Sequence, residues 1–441
     1  MAVTEKHLFT GGASGVLYAD RRNFYVDPQV TKELWTDVSP FTTLVSNQEM
    51  RKVPDPTFKM FEHRNPWVKQ KFLWNKTTPG TVPDNDTGLT TLPVDGIVGL
   101  SATPDSSWIG LVIECWNAAE TTKLGNAVIT AVSATPDLTV KSLNGAFALP
   151  DDGINYVVGS GHGEGTEAPD AWSDELSVVW NSCQIFKTSL QITGTLEAAV
   201  LRGESSELAR LRRQKAQEHK MQKEKAFLYG SRIGGTGLDL QDGSSSDAFT
   251  DGGRTDTAGN LIRTCYGIVQ AIEDYGISTT TNDDQNIFTV DSSYGYASFV
   301  DDMEKVFQYI PESGIKRAFI GAGGLGYWSK MAGSTGFGGN SGWTVNLGDM
   351  KRDSLGFNYR VLETPHGMLQ LIPTPALRGP YNKHMLVVSD ENLFHAQYRP
   401  AMYQTNIKTD NAFDGVKDQY MSDEGLGIQL IESHHLFKIT A

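Results

Sequence analysis

Glu204-Ser205-Ser206-Glu207-Leu208-Ala209-Arg210-Leu211-Arg212-Arg213-Gln214-Lys215 opens the stretch that decides how this chain is built. Good helix formers run on without a break to Tyr229, where Gly230 stops them. Ser205 is placed to cap the first turn, Glu204 and Glu207 suit the positive end of a helix, and Lys223 and Lys225 suit its negative end. A helix over 205–229 makes a rod of about 37 Å. Its apolar stripe is thin: Leu208, Leu211, Met221 and Leu228. Eight basic and four acidic residues lie between Arg202 and Lys225, a local +4 in a chain whose formal charge is −14. A rod this polar calls for a long solvated or intersubunit face. Glu207–Arg210 and Lys220–Glu224 are spaced to pair along the helix, which leaves Arg212, Arg213, Lys215 and Lys223 as surplus cations and candidate contacts between subunits.

Just before the rod, Ile185, Lys187, Ser189 and Gln191 alternate with Phe186, Thr188, Leu190 and Ile192, the pattern of a half-buried strand. Further upstream, Thr57 to Trp74 is extended and aromatic, with Pro56 and Pro66 as punctuation. We read it as one side of a long ribbon, with Phe58, Trp67, Phe72 and Trp74 lacking a private core and seeking burial against a neighbour. Between the two sides, residues 92–165 hold short strands at turn-separated spacing, among them Trp108–Ile113, Asn126–Val132, Leu138–Val140 and Asn155–Val158. These predict a small all-β insertion. Residues 1–50 carry only scattered apolar anchors and read as an arm lying on another surface.

Downstream, a Gly/Ser/Asp loop spans 234–259. The chain then becomes α/β: Leu261, Ile262, Cys265, Ile268, Val269 and Ile272 recur at helical spacing, as do Tyr296 to Ile310. Strands are predicted at Arg317–Ile320, Tyr359–Leu362, Leu369–Ile372 and Met385–Val388, with a last one running from Gly427–Ile431 into Leu436–Ile439.

Across 441 residues, 52 acidic against 38 basic side chains argue against a globally basic nucleic-acid coat. Cys115, Cys183 and Cys265 form neither a disulfide framework nor the paired spacing of a zinc site, so free thiols are expected. The first residues lack the apolar core of a signal peptide, and no apolar run approaches a membrane span.

Gly321-Ala322-Gly323-Gly324-Leu325-Gly326 fits a dinucleotide fingerprint after a strand, but no chain of βα repeats surrounds it, and a tight strand-to-helix turn is the better reading. Gly159 to Gly165 leads to Pro169 rather than a helix, which favours a loop over a phosphate site. Asp84, Asp86, Asp410, Asp414 and Asp418 sit in acidic segments without the full calcium-loop pattern. His434 and His435 are adjacent in a strand and face opposite ways, so they cannot grip one metal. No catalytic nucleophile or acid–base pair stands out; no catalytic, cofactor or metal residue is expected.

The run Cys183 to Thr195, followed by Arg202-Gly203-Glu204-Ser205-Ser206-Glu207-Leu208-Ala209 and the charged helix, resembles tailed-phage major capsid proteins, in particular the SU-ten-like branch with a β insertion. Val38–Leu44, Pro56–Glu62, and Met385–Asp390 through Tyr398-Arg399-Pro400 resemble the same branch, so the likeness runs from about 36 to 440. It implies an α+β Hong Kong 97-type fold: an N-terminal arm over 1–50, an E-loop over 51–192 including the insertion, a P-domain over 193–259 on its spine helix, a mainly A-domain part over 260–394, and a return to the P-domain with a C-terminal strand over 395–441. It also implies a non-enzymatic shell subunit in the virion, made in the host bacterial cytoplasm. Its partners would be itself in hexamers and pentamers, a separate scaffold protein, a portal, decoration proteins and packaged double-stranded DNA, with no membrane and no cofactor. The surplus rod cations would then meet carboxylates of adjacent subunits or the DNA. A decoration or other binding protein with a β domain is the second reading, and a nicotinamide enzyme using Gly321–Gly326 a remote third.

Overall fold

The structure is a computed structural model that describes residues 39–63, 70–74, 80–82, 90–98, 100, 103–133, 137–171, 176–199, 206–232, 256–278, 285–309, 314–333, 350–352, 358–407 and 414–440. Trp67, Ser205, most of the expected arm, most of the 234–259 loop, and Asp84, Asp86 and Asp410 lie outside them. The chain divides into two compact units, one of residues 1–60 with 178–441 and the other of residues 61–177.

In the larger unit the predicted rod is a helix over Glu207–Tyr229, capped by the Ser206 hydroxyl and ended at Gly230. It packs on a four-stranded sheet ordered Met50–Lys52, Leu393–Gln404, Gly415–Ile428, Gln184–Thr193. The strand at Gln184–Thr193 alternates as its sequence predicts, with Phe186, Thr188, Leu190 and Ile192 buried. Its partner is the long strand Gly415–Ile428, paired antiparallel from Gln184↔Glu424 to Thr193↔Gly415. Leu393–Gln404 continues the sheet, and Pro400, which has no N–H to donate, falls where the register slips between Arg399 and Met402.

A seven-stranded mixed sheet follows, ordered Ile287–Val290, His435–Ile439, His384–Val388, Ile315–Ile320, Met368–Pro373, Asn358–Glu363, Lys351–Arg352. The helices Tyr296–Val306 and Ala322–Gly333 lend it Phe299, Met303 and Trp328, which are fully or almost fully buried with Phe288 and Phe437. Three expectations change here. Helix forms only at Ile268–Tyr275, leaving Leu261 and Ile262 exposed, because Gly267 supplies the extended cap where the regular pattern begins. The strand expected to reach Ile431 ends at Ile428, since Leu430 turns left-handed. The last strand, expected to run on from there into Leu436–Ile439, is separate: His435–Ile439 joins the seven-stranded sheet, while Gly415–Ile428 pairs with Leu393–Gln404.

The smaller unit is a closed barrel of Ile154–Ser160, Lys71–Trp74, Thr90–Val98, Asp137–Ser142, Lys123–Val132 and Leu111–Trp116. The insertion is therefore larger than 92–165: the strand at Lys71–Trp74 completes the barrel, and the compact unit runs from 61 to 177. Phe72 and Trp74 are fully buried inside it, their rings edge to face at 5.2 Å, with Trp108 at 5.5 Å from Phe72. These aromatics have a private core after all. Alternation over four residues identified the strand but not the sheet it joins.

Candidate functional site

A helix with so few apolar residues needs another means of attachment, and the structure supplies a polar seam. Arg212, His219 and Lys223 recur seven and four residues apart, which puts them on one face of the rod. That face meets the strands. Arg212 donates to Asp418 at 2.9 Å, and Asp418 is fully buried. The His219 ring lies 3.1 Å from Thr188 Oγ1 on one side and 3.1 Å from Ser422 Oγ on the other. Lys223 reaches Glu424 at 3.1 Å, and the same carboxylate oxygen is 3.1 Å from His395 Nε2.

Burial of these carboxylates would raise their pKa, but their donors win. Against desolvation, the His395 ring and Lys223 hold Glu424 below the usual range. Likewise, the Tyr403 hydroxyl, the Asn406 N–H and Arg212 hold Asp418 low. The His219 imidazole is shifted down by its own burial and then by Lys223, so it serves the seam as a neutral ring. Asp423, fully buried, faces Arg399 at 3.3 Å and Arg263 at 3.8 Å. Buried charges are tolerated when paired and hydrogen-bonded in this way.

The neighbouring rod residue, Glu224, turns inward. It accepts the Phe41 N–H at 3.1 Å, the Thr42 N–H at 2.7 Å and the Thr42 hydroxyl at 2.6 Å. These close the helix Pro40–Gln48, whose own Ser39 offers no side-chain cap. Desolvation lifts the Glu224 pKa despite the three donors.

Several expectations are thereby corrected. Three of the four supposedly surplus cations have carboxylates in their own chain: Arg212 with Asp418, Lys223 with Glu424, and Lys215 with Glu218 at 2.7 Å. Arg213 is exposed. Glu207 pairs with Arg210 as expected, whereas Glu224 caps a distant helix instead of meeting Lys220. Ser206, not Ser205, is the cap. Phe58 is buried beside Phe394, centroids 6.0 Å apart. The end of the expected arm is core: Phe41, Leu44 and Val45 are buried, and Phe41 meets Phe319 at 5.2 Å. Asp418 belongs to a strand rather than a cation loop.

The other motifs are structural too. Gly321 sits so close to Asn382 that a Cβ would lie 2.2 Å from its carbonyl oxygen, and the Asn382 side chain accepts the Gly323 N–H at 3.1 Å. The helix end that would hold a pyrophosphate is filled by the protein itself. His434 and His435 are fully or almost fully buried, and burial followed by the nearby Lys316 charge drives both pKa values down, His434 to about 3. All three cysteines are buried free thiols, with burial pushing Cys115 and Cys265 up to about 12. Among the described residues no helix is long and apolar enough to cross a membrane, and no His/Cys/Asp/Glu group is arranged to hold a metal.

Comparison with known proteins adds an assignment. A family model described as SU10 major capsid protein matches residues 40–436, from the first described helix into the last strand. No curated protein matches. Among solved structures, the capsid of a native GTA particle is 8% identical, with 95% of each chain covered and a TM-score of 0.44. The mature capsid of bacteriophage PhiM1 is 9% identical over 65% of this chain and 79% of its own, with a TM-score of 0.39. The Mycobacterium phage Patience structure is 11% identical over 64% and 78%, with a TM-score of 0.37.

Proposed function

The chain belongs to the SU10 major capsid protein family, and from that premise we propose that its copies close, as hexamers and pentamers, into an icosahedral shell around the double-stranded DNA of a tailed phage. The observation that carries this is the family match itself, which takes in the whole of the smaller unit and most of the larger. In this reading the rod is the spine helix of a Hong Kong 97-type P-domain, the seven-stranded sheet builds the A-domain, and the barrel is an insertion carried by the E-loop. The subunit acts by assembling and performs no catalysis. A separate scaffold protein, a portal and decoration proteins are its partners, the genome lies against the inner face, and synthesis takes place in the host bacterial cytoplasm.

The polar seam supports this role physically. A shell subunit must keep its shape while its outer contacts change, and charge pairs between rod and sheet fix one register where an apolar stripe would allow sliding. The test is sedimentation and electron microscopy of the purified protein, alone and with its scaffold, across salt and concentration. Capsomers or shells are expected. A compact monomer under every condition overturns the proposal.

A further inference from the structure

Near the end of the rod lies an open cleft of about 620 Å³ within the larger unit. Lys225 and Arg378 both line it, and the stacked rings of Tyr229 and Tyr381, 4.3 Å apart, form part of its wall. Unlike Arg212, Lys215 and Lys223, neither cation meets a carboxylate among the described residues; Arg378 makes one hydrogen bond, from Nε to the Pro375 carbonyl at 2.9 Å. Two exposed cations that meet no carboxylate among the described residues share one concavity of a chain carrying −14, and such a place suits carboxylates.

The complementary feature is on the barrel. Residues 161–171 are all exposed and follow its strand Ile154–Ser160. They carry Glu164, Glu167 and Asp170 with no lysine or arginine. None of the three acids meets a cation among the described residues. The loop has a shape of its own: Thr166 bonds back to the Gly163 carbonyl through its N–H at 3.4 Å and its hydroxyl at 2.8 Å.

We propose that the cleft at Lys225 and Arg378 receives the acidic 161–171 loop of a second copy of this chain, with Glu164 and Glu167 as its carboxylates. The inference rests on the reading that copies assemble, and adds which surfaces meet. DNA is the weaker occupant, because a duplex presents a line of phosphates and calls for a line of cations, whereas this site is one concave spot with tyrosine walls.

The experiment reverses charge on each side and then on both. Lys225→Glu with Arg378→Glu, and separately Glu164→Lys with Glu167→Lys, should each lower the assembled fraction at least tenfold by sedimentation. The quadruple variant should recover at least half of it. Lys225→Ala with Arg378→Ala guards against misfolding of the reversed cleft: with its circular dichroism unchanged, its assembly should weaken and lose part of its salt dependence. Wild-type assembly in the same runs tests the shell reading separately, and its absence sinks that reading and this contact with it. If wild type assembles and the cleft variants do so equally well, or if the quadruple variant shows no rescue, the contact is wrong while the shell reading stands. Shells that form normally yet fail to retain DNA assign the cleft to phosphate and overturn the proposal.

Discussion

Glu224 caps Thr42 across 182 residues of sequence, taking its N–H at 2.7 Å and its hydroxyl at 2.6 Å in a fully buried position. Its neighbours one turn away include Met221, Phe227 and Leu228, so this carboxylate lies on the rod's apolar side and is the fixed point between two helices. Glu224→Gln keeps the size but points an amide donor at donors already there. Leaving a buried N–H unsatisfied costs about 1–3 kcal/mol. Urea unfolding of the soluble subunit should show that loss, and a midpoint equal to wild type would sink the capping role.

Arg212 and Lys215, three residues apart, should behave differently when reversed. Arg212→Glu strands the buried Asp418 beside a like charge, and is expected to cost about 1–3 kcal/mol after allowing for the partial exposure of the arginine. Lys215→Glu breaks only a partly exposed pair within the helix, worth no more than about 0.5 kcal/mol. Equal urea midpoints for the two variants would show that the Arg212–Asp418 pair contributes nothing to the fold.

The rod was legible because helix propensity and a terminal glycine are local signals, and so was the strand at 184–193, whose alternation survives intact in the structure. The seam between them was not. Its positions on the rod are Arg212, His219 and Lys223, and a search for apolar periodicity passes over a buried stripe written in polar residues. Their partners Asp418, Ser422 and Glu424 lie about two hundred residues on, in a strand with few apolar residues along much of its length. The same limit hid the barrel's edge: nothing within Lys71–Trp74 reveals that its neighbours are Thr90–Val98 and Ile154–Ser160.

The barrel boundary gives a deletion test with two arms. Replacing 63–176 by a short flexible linker removes the whole unit and leaves Thr57–Glu62 and Ser177–Ser182, which pair, to carry the crossing. The remaining protein should stay soluble with the helical circular dichroism of wild type. Deleting only 92–165 leaves Phe72 and Trp74 without the strands that bury them, and that variant should aggregate. Equal solubility of the two deletions would place the boundary elsewhere.

The seven-stranded sheet should also show an unusual pH response. Lys316 is almost fully buried with its Nζ donating to the Ser433 carbonyl at 3.0 Å, and burial brings its pKa down to about 7. Between about 7 and the ordinary 10.5 the folded protein holds fewer protons at this site than the unfolded chain, so stability rises with pH across that window. Below pH 7 the full cost of burying the charge is present. His434, brought down to about 3, adds a rise of the same sign between about 3 and 6.5. Lys316→Met should therefore be more stable than wild type at pH 7, on the order of 2 kcal/mol. That is less than the whole linkage value, because the Ser433 carbonyl loses its donor. The advantage should shrink as pH climbs toward 9. Urea midpoints for both proteins at pH 6, 7, 8 and 9 measure it, and a difference independent of pH would mean that Lys316 does not titrate in the folded subunit.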